Sequence, residues 1–424
     1  HSLAAALASV DCGPAKCPDA AAFAQAITTA PPDRGWIRGA GYFESVAGPL
    51  DRDRLDALCT DIPIRIQHRS GAMWFVNSRA LGALGLDGGP GDPGADPRTG
   101  ELEPDQIERD DRGRATGRLF RADRWLRDRL PNRDAPDLTP VGRLLASYGV
   151  TTVTDATPTN GAEEAALFRR AQATGALPLN LRMMGELADP ERALQTAFPP
   201  TDPTFELDAH KILLDEPALP DLDGLIATIR SAHDRERPVA IHTVTRAEIH
   251  FALAALDATG ARAGDRLEHA SVAPPEAVDS IRRLGLTVVT QPNFVAERGD
   301  HYRSEVAARD QPYLYRVQSW LDAGVRLGGG TDAPFGDPDP WKAMRAAVER
   351  RTPGGEVLGA AERVSPEIAF GLFQSLRARP DEGGGAGREA RGEVPTIAVG
   401  DPADCCVLDR PWHEARKALS SDHV

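Results

Sequence analysis

Two imidazole side chains lie where short apolar segments of this sequence end. In PVAIHTV, residues 238–244, an apolar run leads to His242, and in RLEHAS, residues 266–271, Leu267 leads to His269. A carboxylate, Asp332, follows a third such segment, RLGGGTDAP, residues 326–334. Neutral imidazole and carboxylate oxygen are both ligands of divalent ions such as zinc. These residue types predict a metal site if the fold brings them together.

A lysine interrupts another apolar segment. Lys211 lies within AHKILLD, residues 209–215, where a buried ammonium group is costly unless it is paired or neutral. Three roles would justify it: a paired structural lysine, a Schiff-base lysine, or a lysine carboxylated by CO₂ that bridges two metals. The residue pattern alone leaves these three roles open.

The elements that position these residues alternate regularly along the chain. Strand-like segments are expected at residues 151–157, 179–185, 209–215, 238–244, 266–271, 287–293 and 326–334. Helix-like segments are expected at residues 163–175, 190–198, 222–236, 247–260, 275–285, 313–324 and 340–352. This alternation is typical of parallel strands joined by crossover helices. It predicts an α/β fold, a TIM-like (β/α)8 barrel whose first strand would precede His1, so that the chain reads as truncated at its N-terminus.

The predicted barrel occupies residues 1–375, with a long insertion at about 18–140. Residues 376–394 are Gly-rich and are expected to form a flexible loop, and residues 395–424 to form part of a small β-domain. Active sites of TIM barrels lie at the carboxyl ends of the strands. The polar residues at these ends are therefore the site candidates: Asp155, Lys211, His242, His269, Gln291 and Asp332. Strand alternation is expected to point Glu268 elsewhere.

Composition restricts the partners of this protein. The net charge of −14 argues against nucleic acid or an anionic membrane surface as a partner. No apolar run approaches the roughly 20 residues of a spanning helix. The five cysteines are odd in number and two are adjacent, which predicts reduced thiols and a cytoplasmic location. We expect a small-molecule substrate, and association into a homo-oligomer is left open.

The order of several motifs resembles the amidohydrolase superfamily, in particular the family 3 branch that includes N-substituted formamide deformylases. HSLAAALASVDC resembles the segment that begins at the second histidine of the family's first-strand H-x-H. GWIRGAGYFES and SGAMWFVNSRAL resemble two further family motifs, and VGDPADCCVLDRPW resembles its closing strand. The segments AHKILLD, VAIHTV, RLEHA, TVVTQPN and GGGTDAP follow the order of the remaining site motifs.

This resemblance implies a metal-dependent barrel with a small β-sandwich domain built from both chain ends. The implied reaction is hydrolysis of amides, formamides and related C–N bonds by a metal-activated water, with one or two divalent ions, zinc being expected. His1, His242 and His269 would be ligands, and Lys211 would be a carboxylated bridge. Asp332 would be both a ligand and the base that accepts a proton from water.

The sequence also departs from the family pattern, because Asp215 is followed by Glu216 where the family has Asp-Gly. Four residues of the insertion are expected to bind substrate at the barrel mouth: His68, Arg69, Trp74 and Asn77. For Trp74 a packing role is favoured, and Arg69 could pair with a substrate carboxylate, although an exposed or structural arginine is the commoner outcome. Two other functions are kept as alternatives, a Schiff-base lyase that uses Lys211 and a non-catalytic barrel that binds a small molecule or a partner.

Overall fold

The computed structural model describes residues 1–87, 102, 104–130, 135–185, 204–374 and 404–424. The chain divides into two compact units, His1–Pro140 and Val141–Val424. Within the described ranges, no helix combines the length and the apolar character that crossing a membrane requires. The predicted helix at 190–198 and the predicted loop at 376–394 lie outside the described residues.

The first unit is built on a six-stranded mixed sheet in the order β1-β2-β3-β4-β6-β5. Its strands are β1 Val10–Asp11, β2 Ile37–Tyr42, β3 Ile64–His68, β4 Met73–Val76, β5 Ile107–Arg109 and β6 Ala115–Phe120. Its helices are α1 Ser2–Leu7, α2 Ala20–Thr29, α3 Glu44–Ala47, α4 Arg52–Asp56, α5 Ser78–Ala83 and α6 Asp123–Arg129, with a 3₁₀ turn at Pro104–Gln106. The residues at about 18–140 lie in this unit, and their status as an insertion stays a prediction.

The second unit is built on seven parallel strands, each hydrogen-bonded to the next in chain order. They are β7 Thr152–Asp155, β8 Asn180–Gly185, β9 Phe205–Leu213, β10 Val239–Thr243, β11 Arg266–His269, β12 Thr287–Thr290 and β13 Arg326–Gly329. All seven predicted strands are confirmed. Parallel pairing brings their carboxyl ends to one edge of the sheet, which is where the candidate residues lie.

Helices precede, connect and follow these strands. They are α7 Thr139–Ser147, α8 Ala162–Ala173, α9 Leu222–Asp234, α10 Arg246–Thr259, α11 Pro275–Leu284, α12 Asn293–Glu305, α13 Gln318–Asp322, α14 Pro340–Glu349, α15 Pro366–Gly371 and α16 Trp412–Ala415. Short 3₁₀ turns lie at Glu216–Ala218, Gln311–Tyr313, Ala360–Glu362 and Ser421–His423. A capping box of Thr245 and Glu248 begins α10, where the sequence predicts a helix start.

Two helix assignments differ from the prediction. The single helix expected at 313–324 is wrong, because Tyr315 adopts a left-handed backbone conformation and its N–H donates to Ser271 O. Only the 3₁₀ turn before Tyr315 and α13 after it are helical. Helix α12 was not predicted, since its sequence NFVAERGDHYRSE is polar and contains a central glycine.

The two faces of the seven-stranded sheet differ in chemistry. One face carries apolar side chains that pack against the helices in one core; those from the strands are Ile212, Val239, Ile241, Leu267, Val288 and Leu327. Burying each such side chain contributes about 1.5–3 kcal/mol. The register places Lys211 opposite Ala240 and His242 opposite Glu268, so these residues alternate with the apolar ones and share the other face.

The described part of the closing segment, residues 404–424, contains α16 and one 3₁₀ turn and no strand. Residues 395–403, which complete the segment predicted to join a β-sandwich, lie outside the described residues. The β-sandwich domain stays a prediction.

Candidate functional site

The two imidazoles meet at the carboxyl ends of β10 and β11. Strand alternation alone would turn His269 away from the face that carries His242 and Glu268. The backbone of His269 instead has φ 70°, and that of Ala270 has φ 43°, both in the left-handed region that residues other than glycine rarely adopt. The ring centroids of His242 and His269 consequently lie 4.4 Å apart, with the rings at 73° to each other.

Hydrogen bonding sets the tautomer of His269. Its Nδ1 lies 2.7 Å from Oε1 of Gln291, whose amide nitrogen donates to Val289 O at 3.2 Å. Because Oε1 can only accept, Nδ1 carries the proton and Nε2 presents its lone pair when the ring is neutral. Burial lowers the pKa of His269 despite the opposing effect of Asp332, so the neutral ring is favoured.

Lys211 lies buried on the same face of the sheet. Burial lowers the pKa of Lys211, although the charges of Glu268 and Asp332 act in the opposite direction. For Glu268, burial alone would raise the pKa, but Arg266 and Lys211 outweigh it and hold the pKa below the ordinary value. Lys211 and Glu268 therefore stabilise each other's charged forms inside the fold.

An arginine extends this charged group along the sheet. The Nε of Arg266 donates to Oε1 of Glu268 at 2.7 Å, and its Nη2 lies 3.1 Å from Oδ2 of Asp208. The expectation that alternation points Glu268 elsewhere is wrong, since the register sets Glu268 directly opposite His242. A lysine on β9 and an R-x-E pair on β11, the next strand but one in the sheet, is the sequence signal that could have revealed this buried network.

Asp332 follows β13 in a turn, and its φ of 55° is also left-handed. Burial raises the pKa of Asp332, and the charges of His269 and Lys211 reverse this only in part. Within the described ranges, no three His, Cys, Asp or Glu side chains form a group that could hold a metal. What the second unit brings together at this edge is therefore His242, His269, Lys211 and Glu268, with Asp332 close enough to raise the pKa values of Lys211 and His269 against the effect of burial.

Asp155 closes β7 in a different environment. Its Oδ1 accepts from the backbone N–H of Thr157 at 3.0 Å and from Nδ2 of Asn160 at 2.8 Å. Nδ2 of Asn160 also donates to Met184 O at 3.0 Å. Asp155 thus fastens the loop after β7 to the end of β8.

The polar atoms of Asn77, in the first unit, are occupied by the protein itself. Oδ1 accepts from the backbone N–H groups of Ile64 and Ala80, each at 2.9 Å. Nδ2 donates to Cys59 O at 3.0 Å and Ile62 O at 2.9 Å. Asn77 is fully buried and caps α5, so its contacts are structural.

The other substrate-binding candidates of the first unit also contact side chains of that unit. Trp74 is buried and its Nε1 donates to Asp123 Oδ1 at 3.0 Å, as a packing role requires. His68 Nδ1 lies 2.7 Å from Ser70 Oγ, and the guanidinium of Arg69 stacks 3.1 Å from the ring centre of Phe43. His1 directly precedes α1. The assignment of His1 as a ligand, and of the other four residues to substrate, stays a prediction.

Comparison with known proteins identifies relatives of this chain. The model described as "Amidohydrolase family" matches residues 4–422. The N-substituted formamide deformylase of Arthrobacter pascens is 27% identical, over 89% of this chain and 75% of that protein.

Two solved structures share the fold. They are uncharacterized metal-dependent hydrolases from Pyrococcus horikoshii OT3 and Pyrococcus furiosus, which match with TM-scores of 0.65 and 0.62 at 18% and 20% identity. Each match covers 88% of this chain, and 77% and 78% of the two hydrolases respectively. These matches identify the parallel sheet of the second unit as that of a TIM-like α/β fold.

Proposed function

This chain belongs to the amidohydrolase family and is a hydrolase of carbon–nitrogen bonds other than peptide bonds, and from that premise we propose a metal-dependent reaction on amide or formamide-like substrates. The observation that carries the proposal is the approach of His242 and His269 at the carboxyl edge of the sheet, with their ring centroids 4.4 Å apart. The named formamide deformylase supports the substrate class.

The residue types at this edge are those that bind a divalent metal, although no three of the described His, Cys, Asp or Glu side chains are grouped closely enough to hold one in this structure. A neutral His269 whose Nδ1 is engaged by Gln291 directs its remaining lone pair outward from a fixed ring, which is how histidine ligands are usually oriented. His242 lies beside it, and Asp332 supplies a carboxylate. We propose that the ligands are His1, Lys211, His242, His269 and Asp332, and that they hold one or two zinc ions.

Lys211 fits the same proposal. An amine must be neutral to react with CO₂, and burial lowers the pKa of Lys211 toward that form. A carboxylated lysine would replace the buried cation by an anionic oxygen ligand. Lys211 shares a face of the sheet with His242 and is therefore the further ligand that we propose.

The proposed reaction assigns one role to each group. When bound, the metal supplies Lewis acidity, which lowers the pKa of water and polarises the scissile carbonyl. Asp332 accepts the proton of the attacking water and then delivers it to the leaving amine. Glu268, held by Arg266, remains anionic beside Lys211 and keeps its position.

The test combines metal content with turnover. Protein prepared with zinc and bicarbonate should contain one or two equivalents of metal by elemental mass spectrometry. It should release amine from a panel of N-alkyl and N-aryl formamides and acetamides. Chelation should abolish the release and zinc should restore it. Full amine release from the metal-free protein would contradict the proposal.

Replacement of the proposed base separates chemistry from binding. Asp332→Asn should retain much of the metal and lose at least about a hundredfold in turnover, because an amide cannot accept the proton. The matched control is Asp322→Asn, a change of an exposed carboxylate on α13. Turnover in Asp332→Asn equal to that of the control would remove Asp332 from the base role.

A further inference from the structure

Asp332 is held in an unfavourable backbone conformation by its own turn. Its carbonyl accepts from the N–H groups of Phe335 at 2.8 Å and Gly336 at 3.1 Å. A left-handed conformation costs a residue with a side chain about 1–2 kcal/mol, so other contacts must maintain it. The direction of the Asp332 carboxylate therefore depends on what fastens residues 331–337.

Helix α12 provides these contacts with side chains from its first two turns. Nδ2 of Asn293 donates to Thr331 O at 3.1 Å and to Oε1 of Glu297 at 3.0 Å. The same Oε1 accepts from the backbone N–H of Asp337 at 3.0 Å. Asn293 is almost fully buried, so solvent does not compete for its contacts. The turn is thus bonded to one helix on both sides of Asp332.

A third side chain and a glycine complete the contact between helix and turn. The guanidinium of Arg298 donates to Phe335 O. A Cβ on Gly336 would lie 2.3 Å from Nδ2 of Asn293 and 2.3 Å from Thr331 O, so only glycine fits there. The turn consequently has little freedom to move away from α12.

The same stretch of chain also orients His269. Gln291, two residues before Asn293, accepts the Nδ1 proton of that ring. The junction between β12 and α12 therefore contacts one proposed metal ligand, His269, and the residue that precedes another, Asp332. Neither contact is local, because Asn293 lies 38 residues from Thr331 and Gln291 lies 22 residues from His269.

We propose that Asn293 and Glu297 are positioning residues, which keep the Asp332 turn in its left-handed conformation by bonding Thr331 O and Asp337 N–H. Neither side chain touches substrate. They act through Asp332. The expected effect on catalysis rests on the proposed function, whereas the expected effect on the conformation of the turn does not. Loss of either side chain lets the turn relax and changes the position of the Asp332 carboxylate.

The experiment compares three variants on α12. Glu297→Ala removes the acceptor, Glu297→Gln keeps an acceptor oxygen, and Glu305→Ala is the control, because Glu305 is exposed at the far end of the same helix. Hydrogen exchange of the peptide 330–339 should be about five- to tenfold faster in Glu297→Ala, as expected for loss of one hydrogen bond. Glu297→Gln and Glu305→Ala should exchange like the parent protein.

Steady-state kinetics then tests the positioning role. In the metal-loaded protein, Glu297→Ala should lower kcat with little change in KM, and Glu297→Gln should restore kcat. Unchanged exchange in Glu297→Ala would overturn the proposal. So would faster exchange with unchanged kcat, or an equal fall of kcat in Glu305→Ala. If exchange responds as expected but the parent protein hydrolyses none of the amides and formamides, the support by α12 stands and the proposed function fails.

Discussion

Asn77 in the first unit and His269 in the second are both buried polar side chains at the end of a strand, and they are stabilised in opposite ways. Asn77 satisfies all its hydrogen-bonding capacity with four backbone groups of its own unit. His269 has one protein partner on its ring, Gln291, and otherwise faces other ionisable groups. Its backbone is left-handed, whereas the backbone of Asn77 is extended.

Under the proposed function, this difference separates a polar residue whose contacts are all internal to the fold from one that binds a metal. A side chain whose bonds are complete within the fold lowers the free energy of the folded state and has no capacity left for a ligand. Ionisable groups buried against each other, on strained backbone, cost stability and are characteristic of functional sites. The comparison can be tested by removing members of each group and measuring metal content and stability separately.

The largest effect is expected at the two imidazoles. His242→Ala and His269→Ala should each lose most of the bound metal and at least about a hundredfold in turnover, because each would remove a proposed ligand. Metal per chain by elemental mass spectrometry checks this. The matched control is His250→Ala, since His250 is an exposed histidine on α10. If either variant contained as much metal as the control, the histidine replaced in that variant would not be a ligand.

A smaller effect of a different kind is expected at Asn77. Asn77→Ala removes a helix cap and leaves four backbone groups without their partner, which should lower the free energy of unfolding by about 3 kcal/mol. Metal content should stay unchanged. Urea denaturation measures the stability, with Gln25→Ala, at an exposed position of α2, as the control. If Asn77→Ala lost metal and kept the stability of the parent protein, the distinction between Asn77 and His269 would be wrong.

The smallest effect is expected at Cys12, a fully buried thiol in the core of the first unit. Burial, assisted by Cys17 and Asp11, raises the pKa of Cys12 from 9.0 to about 12. The unfolded thiol ionises near pH 9 and the folded one does not, so its contribution to stability is complete below pH 9 and is lost as the pH rises toward 12. The loss is about 1.4 kcal/mol at pH 10.

The prediction for Cys12 is checked by measuring the free energy of unfolding of the parent protein and of Cys12→Ala at two pH values. The fall in stability between pH 8 and pH 10 should be larger in the parent than in Cys12→Ala, in which this titration is absent. Native Cys12 should also resist iodoacetamide while the exposed Cys405 reacts. Rapid labelling of Cys12 in the folded protein would show that its core opens easily.

The positions of the seven strands and their order in the sheet could be predicted from the amino-acid sequence. Apolar runs such as Val239–Ile241 recur with helical segments between them, and a local pattern is sufficient to predict an element type. Because parallel strands end at one edge, the residues at their ends, including His242, His269 and Asp332, could be named in advance. The helix α12 could not, since it is stabilised by packing and hydrogen bonds more than by an amphipathic pattern.

Which of these side chains lie next to each other could not be predicted from the sequence and depends on the tertiary structure. The left-handed backbone at His269 overrides strand alternation and brings its ring to His242, and the register sets Glu268 opposite His242. Contacts between residues far apart in the chain, such as Gln291 with His269 and Asn293 with Thr331, maintain these conformations. Local sequence sets the backbone preference of each residue. Strand register and long-range hydrogen bonds determine where a residue adopts a strained backbone conformation, because they offset the free-energy cost of the strain.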